Sequence, residues 1–307
     1  MNSDNALFWF ETISFIVLGA ILLFDVLLIF KRPHVPSHRE SVLWVSFYAT
    51  LAVIFALLLG LVLGDWNRTS EFVAGWLTEY SLSIDNLFVF IIIMARLKVP
   101  SDKQQSVLMI GIIISLVLRG GFIIVGAAII SAFSGIFYLF GAFLIYTAYH
   151  QAFRTEEDDE DSEMRLITWL KQKKNFSPMV IVLFSIGITD LLFAFDSIPA
   201  IFGITTDPFI VFTANIFALM GLRQLYFLLG GLMTRLEHLK YGIAAILGFI
   251  GVKLVLHAMH ENSIPFINGG KHIEWAPDIS TEVSLGFIIG AIAISAITSA
   301  IATRKKN

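Results

Sequence analysis

Nine apolar runs, each long enough to cross a bilayer as a helix, leave this chain few ways to fold. They cover about residues 8–30, 43–63, 71–95, 106–130, 135–153, 178–204, 209–231, 241–258 and 283–303. A run of roughly 18 or more apolar residues spans as a helix, because hydrocarbon forces every backbone N–H and C=O to find a partner within the segment. The expected fold class is therefore all-α: a polytopic membrane protein with about nine transmembrane helices. Composition agrees, at 57% hydrophobic and 15% charged residues with a mean hydropathy of +0.80, against roughly 25% charged in ordinary soluble domains. The first run lacks a basic leader and is followed by Lys31 and Arg32, so it reads as a retained helix and not a cleaved signal. No cysteine occurs, which removes disulfides and thiolate metal sites, and no basic stripe offers itself to nucleic acid.

Counting alternate loops sets an orientation. One side collects Lys31, Arg32, Arg39, Arg96, Lys98, Lys103, Arg154, Arg165, Lys171, Lys173, Lys174, Arg235, Lys240, Arg304, Lys305 and Lys306, and the other holds Arg68 and Lys271. Short cytoplasmic loops are enriched in Lys and Arg, so the expected N-terminus is outside and the C-terminus cytoplasmic.

Charges inside the apolar runs are few and patterned. Glu79 and Asp85 lie in TEYSLSIDNLFVF, and Asp190 and Asp196 in ITDLLFAFDSIPAIF, each pair six residues apart. An isolated charge at the bilayer centre costs roughly 2.5 to 3.5 kcal/mol even on lenient scales, so such groups need a proton, a cation or a basic partner. Two matched acidic pairs point to a cation site. Arg119, Arg223 and Lys253, with Asp25 in the first run, are the remaining charges expected in the interior, as ion-pair or coupling groups. Carboxylate, carbonyl and amide oxygens without thiolate or clustered imidazole favour a hard or borderline divalent ion such as Mg²⁺, Ca²⁺ or Mn²⁺.

The pairs belong to a repeat. Aligning Glu79 with Asp190 aligns Asp85 with Asp196 and Asn86 with Ser197; farther on, LVLRGG around Arg119 resembles MGLRQL around Arg223. A weaker register sets His150 against Lys253, with His257 competing. Three helices per copy would make the copies cross the membrane in opposite senses, an inverted repeat with its site near the midplane. Spacing six turns two side chains about 120° apart and separates them by about 9 Å on a straight helix. A break near Pro199 is expected to swing Asp196 inward and free the Phe195 carbonyl as a ligand.

The strings EYSLSIDNLFVF, FAFDSIPAIFGITTDPFIVFTANIFALMGLRQLYFLL and LKYGIAAILGFIGVKLVL resemble the TerC family of bacterial membrane proteins, and within it the Alx-like members, over roughly residues 70 to 258. That resemblance implies export of manganese from the cytoplasm across the bacterial inner membrane, with Mn²⁺ (Ca²⁺ as an alternative) as cargo and no organic cofactor. The family's acidic motif falls on Glu79, Asp85, Asn86, Asp190, Asp196 and Ser197, and its basic positions on Arg119, Arg223 and Lys253. Gly187 stands where many relatives carry another Glu, and His150 where some carry Lys.

The organisation expected is a helix pair (1–70), a first three-helix repeat (71–153), an acidic cytoplasmic linker (154–177) with seven acids in TEEDDEDSEMR, a second repeat (178–258), an outer loop (259–282), and a final helix with a basic tail (283–307). Partners are membrane lipid and a divalent cation, with no protein partner identified. Two alternatives stand beside the exporter: tellurite or oxyanion resistance through Arg119, Arg223 and Lys253, and metal delivery to exported proteins through the outer loop with His260 and His272. His34 and His38 in the first basic loop are possible pH sensors. No HExxH, GxSxG or P-loop occurs, so no enzyme is expected.

Overall fold

The computed structural model describes residues 3–31, 36–133, 135–153, 178–229, 239–262, 264, 267–273, 275–277 and 279–306, without the side chains of some helical residues, Asp85 and Asp196 among them. The acidic linker and His34 lie outside the described residues.

The described chain is helical: α1 Ser3–Lys31, α2 His38–Leu63, α3 Trp66–Arg96, α4 Ser101–Ala132, α5 Ile136–Phe153, α6 Pro178–Phe202, α7 Pro208–Met220, α8 Leu222–Leu229, α9 Leu239–His260 and α10 Thr281–Lys306. Eight helical stretches are long and apolar enough to cross a membrane, α7 and α8 together forming one of them. The ninth expected run folds as α5, 18 residues whose last turns carry Tyr149, His150 and Gln151 and dilute its hydropathy.

Local chemistry sets the corners. Gly64 ends α2 at φ 70°, a left-handed turn that a side chain would strain. Asp65 then caps α3 by accepting from the Asn67 and Arg68 amides, and Asp207 caps α7 by accepting from the Phe209 amide with Pro208 in the first turn. The break expected at Pro199 does not form. α6 runs unbroken through it to Phe202, and the Gly203 amide reaches the Pro199 carbonyl at 3.0 Å. Pro199 has no N–H to give the Phe195 carbonyl, so that one helical bond is missing while α6 continues past it. The interruption in a span occurs instead at Gly221, between α7 and α8.

Packing exchanges partners between the two acidic segments. α3 lies against α7 and α4 against α6, while α5 and α9 share the most extensive contact of the fold. A side chain on Gly141 would meet the Gly251 carbonyl at 2.7 Å and the Val255 amide at 3.0 Å; one on Gly251 would meet the Gly141 carbonyl at 2.9 Å and the Ile145 amide at 3.0 Å. The contact is thus reciprocal about the two glycines. Phe137 lies beside His257 and Ala148 beside Gly248, so the helices run antiparallel.

The reciprocal contact suggests a second register for these two helices beside the alignment of His150 with Lys253. Aligning Gly141 with Gly251 sets GAFLIYTAYH beside GVKLVLHAMH and His150 opposite His260. The buried set Phe137, Gly141, Leu144 and Ala148 then maps onto Leu247, Gly251, Leu254 and Ala258, all buried. In that register Lys253 falls opposite Phe143.

Because the helix backbones touch at this pair, Gly141→Leu or Gly251→Leu is expected to lower stability by at least the about 1–3 kcal/mol typical of overpacking, seen as a lower melting temperature in detergent. Gly248→Ala, whose new methyl would meet only the Ala148 Cβ at 3.5 Å, should be tolerated.

Candidate functional site: a buried arginine between two carboxylates

Glycines draw α4 and α6 together on either side of the central charges. A Cβ on Gly111 would lie 2.9 Å from Ile186, one on Gly126 2.8 Å from Phe202, and one on Gly187 3.3 Å from Ile114. Gly187, where many relatives have Glu according to the resemblance, is therefore part of the seam that brings the helices close.

Between those contacts Arg119 projects from the middle of α4 and is fully buried. Its Nε donates to Asp190 Oδ2 at 3.2 Å and its Nη2 to Asp190 Oδ1 at 3.2 Å, a bidentate fork. Nη1 donates to Ser197 Oγ at 3.4 Å and is ion-paired with Glu79 Oε1 from α3. Glu79 and Asp190, the first acid of each pair, are both buried. One guanidinium thus faces two carboxylates. Glu79 Oε2 is buried without a hydrogen-bond partner, as are the hydroxyls of Thr78, Ser83 and Ser185 and the side-chain amides of Asn215 and Gln224. Uncharged polar groups left unpaired in apolar surroundings are costly, so these mark a polar interior. The sequence reading passed over them; their signal is a hydroxyl or amide within a turn or so of a motif acid, as Ser83 is of Glu79 and Ser185 of Asp190.

The other expected site residues divide. Asn86 and Ser197 are buried in α3 and α6. Asp85 and Asp196 lie in the same two helices, and their side chains are outside the described residues. Arg223 in α8 donates from Nη2 to Asp25 Oδ1 of α1 at 2.9 Å. Lys253 in α9 donates to Ser284 Oγ of α10 at 3.1 Å. The three basic groups therefore each have a different partner. Among the described residues no group of three or more Asp, Glu and His side chains is gathered as a ready metal centre.

At the end of the bundle where α3 and α7 begin, Arg68 reaches Asp207 at 3.2 Å, Asp65 at 3.6 Å and Glu11 at 3.9 Å. Glu71 accepts from Thr205 Oγ1 at 2.6 Å and Asn67 Nδ2 at 2.8 Å. Arg68, noticed in the sequence only for its side of the membrane, ties three helix ends together. In the loop after α9, Asn262 donates to the Ile267 and Lys271 carbonyls at 2.7 and 3.0 Å, His272 Nδ1 lies 2.6 Å from the His260 carbonyl, and Trp275 is exposed.

Comparison with known proteins places these features. Residues 64–307 match the integral membrane protein TerC family. The chain is 41% identical to the uncharacterized membrane protein Rv2723 of Mycobacterium tuberculosis over 96% of its own length and 79% of the relative's. It is 33% identical to the uncharacterized membrane protein STKORF319 of Myxococcus xanthus, covering 96% and 92%. It is 34% identical to a protein of Escherichia coli named "Putative membrane-bound redox modulator Alx", covering 93% and 92%. No solved structure matches. With most of its length matched by the family and by these relatives, the chain belongs to the TerC family of integral membrane proteins.

Proposed function

We propose that this protein is a secondary transporter that exports a divalent cation, Mn²⁺, from the bacterial cytoplasm, exchanging it for protons at a site between α3, α4 and α6. The observation that carries the reading is the convergence of Glu79 and Asp190 on Arg119 in the bundle interior, with one Glu79 oxygen unpaired. A pair of carboxylates facing one guanidinium retains a negative charge that a metal ion can satisfy, and Asp85, Asp196, Asn86 and Ser197 supply further oxygens from the same two helices. The Arg119 guanidinium occupies the place of a cation when none is bound. Arrival of the metal would displace it from Glu79 first, since that link lacks the second bond that Asp190 makes.

The two acidic segments are read as inverted repeats, 71–153 and 178–258, supported by the exchanged packing of α3 with α7 and α4 with α6 and by the antiparallel, reciprocal α5–α9 contact. The end bearing Arg68 is read as outside and the Lys98 turn as cytoplasmic, from the distribution of Lys and Arg. The oxyanion reading required Arg119, Arg223 and Lys253 as one site; each is engaged elsewhere, so no observation favours it. A redox role of the sort in the Escherichia coli relative's name would not run through thiols here, because the chain has no cysteine.

In proteoliposomes carrying a manganese-sensitive dye, Glu79→Gln and Asp190→Asn should each reduce Mn²⁺ flux at least about tenfold, a loss of about 1.4 kcal/mol or more in effective interaction, while the protein still inserts; wild-type flux in both variants would refute the site. Arg119→Ala strands two buried carboxylates and should destabilise the protein by about 3–5 kcal/mol, and Arg119→Ala combined with Glu79→Gln should recover part of that loss in thermal melts. Because the chain is free of cysteine, single cysteines report topology: Thr206→Cys should react with an impermeant maleimide added outside cells, and Lys98→Cys only after permeabilisation.

A further inference from the structure

Helix register carries a fourth helix, α7, into the central site. One layer of the bundle is fixed by contact: Ile123 of α4, Ile201 of α6 and Val211 of α7 share a buried cluster. A Cβ on Gly75 of α3 would lie 3.5 Å from Ile201 Cγ2 and 3.5 Å from Ala214 Cβ of α7, which adds α3 to that layer. The directions of the helices then give the layer below. α3 and α7 begin at the Arg68 end, where Glu71 meets Thr205. α4 and α6 run together toward it, with Gly111 beside Ile186 and Gly126 beside Phe202.

One turn away from the Arg68 end is therefore four residues onward in α3 and α7 and four residues back in α4 and α6, about 6 Å deeper on the same helix faces. Those positions are Glu79, Asn215, Arg119 and Ser197. Three of them are already joined, since Arg119 Nη1 donates to Ser197 Oγ at 3.4 Å and pairs with Glu79 Oε1. The register is thus checked by contacts that did not enter it. Asn215 completes the layer. It is fully buried, and neither its Oδ1 nor its Nδ2 has a hydrogen-bond partner among the described residues. Thr213, two residues earlier, returns its hydroxyl to the Phe209 and Ile210 carbonyls and so meets its own need within α7. A buried amide with both ends unpaired is costly, and the layer of Gly75, Ile123, Ile201 and Val211 offers it no polar side chain.

We infer that Asn215 is a further ligand of the transported cation, its Oδ1 binding the ion together with Glu79 Oε2, so that α7 closes the site formed by α3, α4 and α6. An amide oxygen suits a hard or borderline divalent ion as a carboxylate does. It differs in charge. A further carboxylate at this level would need a proton or another cation whenever the metal left, whereas the amide adds an oxygen and leaves the balance of Glu79, Asp190 and Arg119 as it is. This deepens the cation reading and rests on it.

The test compares Asn215→Leu, close to the amide in shape, with Asn215→Asp, which keeps an oxygen. Mn²⁺ affinity of the purified protein is read by equilibrium dialysis, and stability as the melting temperature without metal. Asn215→Leu should weaken Mn²⁺ binding at least about tenfold, the lower end of what losing a group that supports a metal site costs. Its metal-free melting temperature should equal or exceed that of the wild type, because an apolar isostere removes an unpaired buried group. Asn215→Asp should bind Mn²⁺ more tightly than Asn215→Leu. A merely structural amide would give the opposite pattern: a lower metal-free melting temperature in Asn215→Leu and wild-type affinity. Wild-type affinity in Asn215→Leu beside lost binding in Glu79→Gln overturns this assignment and leaves the cation reading standing, as does equal loss in Asn215→Leu and Asn215→Asp. Absence of Mn²⁺ binding by the wild type overturns both. Should Asn215→Leu fail to fold, Asn215→Ala carries the same comparison.

Discussion

Everything near the middle of this bundle answers to the need of Arg119, Glu79 and Asp190 to compensate one another out of reach of water. Moving ions of this size into a low-dielectric interior costs several kcal/mol each even after relaxation, and only close, well-oriented partners return that energy. The two forked bonds from Arg119 to Asp190 meet that demand for one acid. Glu79 is met by a single nitrogen, so the trio is left short of positive charge. The glycine seam of Gly111, Gly126 and Gly187 follows from the same demand, because a guanidinium reaches a carboxylate on the next helix in this geometry only if the backbones approach closely.

The exchanged packing gives the trio its members. With α4 on α6, and α7 and α8 on α3, each acidic helix packs against the span that carries the arginine following the other acidic pair. Arg119 therefore meets Asp190 from beyond the acidic linker, and the added Glu79 comes from its own side of that linker. α1 and α2 stand outside this exchange, yet α1 contributes Asp25, and the α2–α3 corner contributes the Asp65 cap beside Arg68. The flanking helices thus bear on the charges as well as on lipid.

Much of this was legible in the sequence because hydrocarbon is an unforgiving solvent. Apolar runs had to be helices, and among the described residues all nine are largely helical, with eight stretches long and apolar enough to span. Buried acids had to have partners, and Glu79 and Asp190 do. What could not be read was which partner each charge takes, since that depends on helix contacts distant in sequence: Arg119 with Asp190 spans 71 residues and Arg223 with Asp25 spans 198. Pro199 misled because a proline removes one helical bond without having to end the helix, and here α6 absorbs that loss and runs on to Phe202. The His150 and Lys253 register matches basic character, whereas the contact between α5 and α9 centres on the small residues Gly141 and Gly251 that let two backbones touch, a close approach the sequence alone does not announce.

In the proposed reading, an arginine in a cation site looks at first like an obstacle. Its guanidinium is broad and its charge is spread over three nitrogens, whereas a divalent ion concentrates twice the charge on one centre and binds carboxylates at about 2.0–2.6 Å. The arginine can therefore keep the empty site intact and still yield to a small, doubly charged ion. A monovalent ion offers less in exchange for the same displaced contact. In that reading selectivity for charge arises from competition with Arg119 as well as from the oxygens around it, and it begins at the Glu79 oxygen that lacks a hydrogen-bond partner among the described residues.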